Sequence, residues 1–179
     1  KEKIYLSMKY ILSLFFFILF VLSALALLTF DINDNSFLTS TSNASNNLLG
    51  DFGSYFASFI FYTFGVLGYL TIIFFLISSI LILINKSPKY IYIRLLFFFI
   101  SLILIPQTFL FYEIQFTFIE SIQTWGVFAL QLYTIYELDY VSYLFSLFGI
   151  VIYFFSQNIF SLLKFPKISI SNRFKLNEK

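Results

Sequence analysis

Long apolar runs separated by polar stretches dominate this chain. Tyr10 to Phe30 carries no charge over about 21 residues, enough to cross a hydrocarbon core of about 30 Å at about 1.5 Å per residue. Asp31 to Gly53 is polar and without periodicity, and reads as an irregular loop in water. Ser54 to Ile84 is apolar again for about 31 residues, more than one span needs; tilt or a first turn at the membrane surface absorbs the excess. A short turn with Lys86, Pro88, Lys89 and Arg94 leads into a third run, Ile91 to Phe111. Pro106 lies near its far end, where lipid tolerates it if neighbours satisfy the freed carbonyl.

Tyr112 to Tyr140 is interrupted by Glu113, Glu120, Glu137 and Asp139. Its best apolar piece, Trp125 to Tyr136, is too short to span, and its amphipathic rings suit the headgroup level. Val141 to Phe165 is the last long run. The pattern predicts an all-α, polytopic membrane protein with four transmembrane helices, at about 10–30, 54–84, 91–111 and 141–165. A basic lead occupies 1–9, and 166–179 begins a tail or linker. A cleaved signal peptide is the rival reading of the first run, because Ala24-Leu25-Ala26 resembles a cleavage site. The run continues through Phe30, beyond the usual core of about 7–15 residues in such peptides, which favours a retained span.

Composition agrees with lipid as the solvent. Hydrophobic residues make up 60% of the chain and charged residues 11%, against about 45–50% and about 25% in soluble domains. The abundance of Phe, Ile, Tyr, Asn and Lys also fits AT-rich codons, so part of the Phe content needs no structural reason. There is no Cys and no His, which removes disulfides, thiolate metal sites and the commonest general base.

Charge placement orients the spans. All 11 basic residues fall in the lead, the turn at 85–94 or the tail at 164–179. Seven of the nine acids, Asp31, Asp34, Asp51, Glu113, Glu120, Glu137 and Asp139, fall in the other two loops. Short loops rich in Lys and Arg stay cytoplasmic, so four spans with both termini cytoplasmic satisfy every loop. The basic tail suits anionic lipid headgroups, with contact to DNA phosphates as the alternative.

Chemistry is sparse. No span carries an ionisable residue at its centre, where transporters and pumps usually need one. Buried hydroxyls and amides such as Ser101, Gln107, Ser156, Gln157 and Asn158 suit hydrogen bonds between helices. None of the six glycines precedes a Lys in the manner of a Walker loop, and Asp31-x-x-Asp34 lacks the ligand spacing of an EF-hand. Asn43-Ala44-Ser45 matches a glycosylation sequon, a pattern common by chance. Ser54, Ala57, Ser58, Gly65 and Gly68 recur at helical spacing and offer a face for close packing, either within one protomer or between copies.

One set of motifs is specific enough to suggest a family. Phe30-Asp31-x-x-Asp34-x-Ser36-Phe37, Asn47-x-x-Gly50-x-x-Gly53-x-Tyr55-x-Ala57, Phe64-Gly65-x-x-Gly68-Tyr69-Leu70 and Leu147-Phe148-Gly149 resemble the N-terminal four-helix membrane domain of FtsK-type DNA translocases. The chain departs from that pattern at Ile32 and Asn35, where prolines are usual, at Ser58 in place of an acid, and at Ile72 in place of a proline. Of an expected glycine pair before the fourth span only Gly126 remains.

The resemblance implies a membrane anchor that holds a DNA motor at the division septum of the bacterial inner membrane, acting in cell division and chromosome partition. It implies no cofactor in this chain, since ATP and Mg would serve only the motor. Its implied partners are the bilayer, other division proteins, and further copies in a hexamer formed through the motor, which alone would touch DNA. The chain begins without Met and its basic tail ends abruptly, as expected for a fragment of a longer reading frame. The alternative is a small transporter or channel subunit with no motor. Topology is tested by reporter fusions after Asn43 and after Lys86, which are expected on opposite sides of the membrane; reporters on the same side would overturn the four-span arrangement.

Overall fold

The structure, a computed structural model, describes residues 2–37, 39–41, 44–84, 90–114, 124–136 and 139–157. The basic turn at 85–89, Asn43, Glu120, Glu137, Asn158 and the tail beyond it lie outside the described residues. Among the described residues the chain is helical: α1 (Glu2–Leu28), α2 (Gly50–Phe64), a 3-10 turn (Val66–Tyr69), α3 (Leu70–Leu83), α4 (Ile91–Leu104), α5 (Gln107–Phe111), α6 (Val127–Tyr136) and α7 (Asp139–Gln157). Among these residues four segments are long and apolar enough to cross a membrane: Ser7–Leu28, Val66–Leu83, Ile91–Phe111 and Tyr140–Gln157. Each half of the chain is built as a span, a short helix and a second span. The short helices α2 and α6 mark the loop end of the bundle.

Helices α1 and α3 run antiparallel, and polar contacts register them. Ser13 Oγ donates to the Ser79 carbonyl at 3.0 Å, and Ser79 Oγ lies 3.0 Å from the Ser13 carbonyl. In lipid, hydrophobicity does not draw helices together, so such hydrogen bonds and close packing carry the association. Phe16 packs on Phe75 one turn further along, at 6.2 Å between ring centroids. The two halves meet through Phe74 of α3 and Phe98 of α4, fully buried rings stacked at 4.4 Å. Outward-facing residues such as Ile11, Leu14, Leu144 and Leu147 are exposed and apolar, as a lipid-facing surface requires.

The second apolar run is not one helix. The expectation of a single helix over 54–84 gives way to α2, which starts at Gly50, and a break at Gly65. Gly65 has φ 62° and ψ −152°, a region essentially restricted to glycine. Its N–H still caps α2 by donating to the Phe61 carbonyl at 2.8 Å, and its own carbonyl accepts from Gly68 N–H at 2.9 Å. Gly65 also forms an isolated antiparallel bridge with Trp125. A Cβ on Gly65 would fall 2.5 Å from the Thr124 carbonyl oxygen, and one on Gly126 would collide with the Thr63 backbone. Two glycines thus let backbone meet backbone where the halves join. Gly65 and Gly68 therefore do not continue one helical face with Ser54, Ala57 and Ser58.

The second interruption is Pro106, which ends α4 and starts α5. Proline removes an N–H and frees carbonyls of the preceding turn. Gln107 Nε2 donates to the Ile103 carbonyl at 2.9 Å and to the Ala129 carbonyl of α6 at 3.0 Å. Ser146 Oγ of α7 donates to the Ile105 carbonyl at 2.9 Å and accepts from Thr108 N–H at 2.8 Å. Gly149 brings α7 against this same place, because a Cβ there would lie 2.8 Å from Ile105 N. Of the polar span residues singled out from sequence, Gln107 links elements, whereas Ser101 and Ser156 donate to carbonyls of their own helices, Phe98 and Tyr153.

Two glycines with positive φ separate conformation from contact. Gly50→Ala (φ 63°, no neighbour within 4 Å) is expected to cost about 1–2 kcal/mol, the left-handed penalty alone. Gly65→Ala adds a backbone collision and is expected to cost about 3 kcal/mol or more, read as Tm in detergent micelles. Equal losses in the two variants would show that the contact with 124–126 carries no stability.

Candidate functional site

The polar loop between α1 and α2 closes around one carboxylate. Helix α1 ends at Leu28 with orphan carbonyls, and the residues after it supply partners. Thr29 Oγ1 donates to the Leu25 carbonyl at 2.6 Å and accepts from Leu48 N–H at 3.1 Å. Asn47 Nδ2 donates to the carbonyls of Ala26 at 2.8 Å and Thr29 at 3.2 Å, while its Oδ1 accepts from Leu49 N–H at 3.0 Å. One asparagine therefore ties the end of α1 to the start of α2. Gly53 leaves room for it: a Cβ there would collide with Asn47 Oδ1 and lie 2.7 Å from the Leu49 Cβ.

Asp34 sits beneath this tie, 2% exposed. Its carboxylate accepts from Asn46 N–H at 2.7 Å and Asn47 N–H at 3.0 Å. The hydroxyls of Ser45 and Ser54 each lie 3.0 Å from its Oδ2 and 2.6 Å from one another. Burial pushes the Asp34 carboxyl up, but the hydrogen bonds from Asn46, Ser45, Ser54 and Asn47 outweigh it and hold the group below its ordinary value. Asp31 is also held low, chiefly by Asn33 N–H at 2.9 Å and then by the Asn46 side chain at 3.0 Å. Ser36 closes the turn after Asp34, with its N–H donating to the Thr39 carbonyl at 2.8 Å. Phe37 folds over α2, with its ring centroid 5.3 Å from Tyr55 and 6.1 Å from Phe59.

The residues singled out from sequence are distributed as follows. Asp31, Asp34, Ser36, Phe37, Gly50, Gly53, Ser54 and Tyr55 assemble into or beside this loop. Ala57 and Ser58 are buried inside the protomer on α2, and Gly68 faces Ile60, 2.5 Å from where its Cβ would stand. Phe64 stacks on Phe99 at 5.5 Å, at the junction of the halves, and Gly149 lies apart at Pro106. Sequence reasoning passed over Thr29, Ser45 and Asn46 as members of the site. Ser45 was visible only as the end of a sequon, and a run of Asn and Ser does not reveal which residues face a carboxylate.

The arrangement can hold a loop. Among the described residues no three His, Cys, Asp or Glu side chains come together. The family model for the 4TM region of DNA translocase FtsK/SpoIIIE matches residues 7–165. The chain belongs to that family. It is a multi-pass membrane protein carrying the membrane anchor region of an FtsK/SpoIIIE-type translocase, the part outside the motor. Neither curated proteins nor solved structures yield a match.

The network around Asp34 makes stability pH-dependent in a defined direction. A carboxylate held low in the folded state contributes fully above the ordinary aspartate value of 3.8 and loses that contribution as pH falls through the depressed value. Asp34→Asn keeps the size but turns an amide donor toward backbone N–H groups; it is expected to cost about 2–4 kcal/mol at neutral pH. Tm measured against pH in detergent is expected to fall more steeply for the native chain than for Asp34→Asn on going below that value. Parallel profiles would remove Asp34 as the cause.

Proposed function

We propose that this chain anchors a DNA translocase motor in the bacterial inner membrane at the division septum, in the service of cell division and chromosome partition. The family match over residues 7–165 carries the reading, because that region is the membrane part of such translocases. The charge partition supplies the orientation: the basic lead, turn and tail lie in the cytoplasm, and the Asp34 loop with α2 and α6 lies on the opposite side. The motor that follows such a domain uses ATP and Mg and alone touches DNA. The anchors gather as a hexamer through it, beside other division proteins. The absence of an ionisable residue at the centre of any span weighs against a transporter or channel subunit.

A fluorescent protein fused after Lys179 tests the reading in dividing cells. Fluorescence is expected as a membrane band at the septum, and the reading frame extended downstream is expected to encode a Walker motif. Uniform fluorescence over the whole membrane together with a stop codon directly after Lys179 would overturn the anchor role.

A further inference from the structure

Helix α2 has an unusual surface. Its 15 residues give a length of about 22 Å, too short for a hydrocarbon core of about 30 Å. Yet it is apolar on both sides. Ala57, Ile60, Phe61 and Phe64 face the protein, while Phe52, Tyr55, Phe59 and Tyr62 are exposed. Past its first turn, where Asp51 is exposed, the outer side of the helix carries large rings that suit an apolar medium. Beneath it, between α1, α2 and α3, opens a cleft of about 120 Å³ lined by Leu19, Leu22, Ser23, Phe52, Phe56 and Phe75.

The cleft presents no free polar group. Ser23, its one hydroxyl, donates within its own helix, with the carbonyls of Leu19 at 2.7 Å and Phe20 at 3.0 Å. Leu19, Leu22 and Ser23 precede the end of α1 by five to nine residues, which sets the cleft about 8–14 Å below the end of that span. Leu22 on its rim is exposed and continues the lipid-facing row of Ile11, Leu14, Phe15 and Ile18 along α1, and Phe52 of α2 is exposed on the same rim. The opening therefore faces hydrocarbon. Its volume approaches that of the apolar cavities of about 150 Å³ that stay dry and take up a small hydrocarbon.

We propose that this cleft binds a stretch of one acyl chain of a phospholipid in the leaflet on the loop side, with α2 lying over that stretch as a lid immersed in that leaflet. The aromatic rim of α2 then meets the headgroup region, where Tyr places its ring in the apolar layer and its hydroxyl in the polar one. Methylene groups fill the space without leaving a hydrogen bond unmade, because the walls offer none. The inference rests on the four membrane spans and not on the septal role, so a fusion that misses the septum leaves it untouched.

Native mass spectrometry of the full chain, extracted gently from phosphatidylcholine vesicles, counts retained phospholipid. The native chain is expected to retain it, and Leu22→Trp, which fills the cleft from its exposed rim, to retain about fivefold less, equivalent to roughly 1 kcal/mol. Ile11→Trp, on the same row of α1 but away from the cleft, is expected to retain as much as the native chain. Tm in detergent confirms that each variant folds, and Leu19→Phe supplies a second filling variant if Leu22→Trp does not. In vesicles, a Phe56→Trp, Trp125→Phe chain is expected to be quenched by phosphatidylcholine brominated along its acyl chains, and less so when Leu19→Phe is added. No retained phospholipid in the native chain, or equal retention in folded cleft-filled variants, would overturn the proposal. Cleft filling that abolishes crosslinking between copies while lipid retention holds would overturn it too, by making the cleft a protein–protein surface.

Discussion

A helix that breaks among apolar spans leaves amides and carbonyls with no water to take them, and among the described residues this chain breaks twice. At Gly65 the solution is backbone geometry: a conformation open only to glycine lets the N–H reach back to Phe61 and the carbonyl forward to Gly68. At Pro106 the solution is side chains: Gln107 and Ser146 take the Ile103 and Ile105 carbonyls. Both breaks recruit the same neighbour. The segment around α6 gives Trp125 and Gly126 to the first break and the Ala129 carbonyl to the second. A helix too short to cross the membrane thereby joins the two halves of the bundle.

The loop end repeats this economy in water. A carboxylate as buried as Asp34 loses solvation, and the four donors that converge on it offset that loss and hold it below its ordinary value. Those donors come from the end of the loop that leads into α2, Ser45 to Asn47, and from Ser54 within α2. Neutralising the group would therefore loosen the loop and the helix together. The same backbone at Asn46 and Asn47 that serves Asp34 also presents the Asn47 side chain to the end of α1. Helix end, loop and helix start become one hydrogen-bonded unit, and that unit sets the angle at which α2 leaves α1.

The helical class and the apolar runs that contain the four span-length helices were legible because run length alone decides what can cross lipid. The break at Gly65 was not. The run from Ser54 to Ile84 is apolar throughout, glycine is tolerated in membrane helices, and the partner that stabilises the break lies far along the chain at Trp125–Gly126. Gly65 and Gly68 consequently read as one face with Ser54, Ala57 and Ser58. Asp34 was legible as a motif position, but its donors were not, since Ser45 and Asn46 sit in a loop without periodicity. The Ser13–Ser79 pair left no trace at all, because a lone serine in a span looks the same whether it bonds its own helix, as Ser101 does, or a neighbour.

That last ambiguity bears on the Phe content. The chain has 28 phenylalanines, and codon bias explains an excess without assigning a role to any one of them. The structure divides them. Phe15, Phe17, Phe148 and Phe155 face outward, where lipid accepts any large apolar side chain. Phe74 and Phe98 are fully buried and stacked across the seam between the halves, and Phe64 stacks on Phe99 beside the Gly65 break. In lipid, burial by itself gives little drive, so a buried ring acts through its shape and its contacts with facing rings. An aromatic-rich genome can supply rings anywhere along the chain. The polar ties at Ser13–Ser79, Gln107 and Ser146, together with the close backbone contact at Gly65 and Gly126, determine which of them meet.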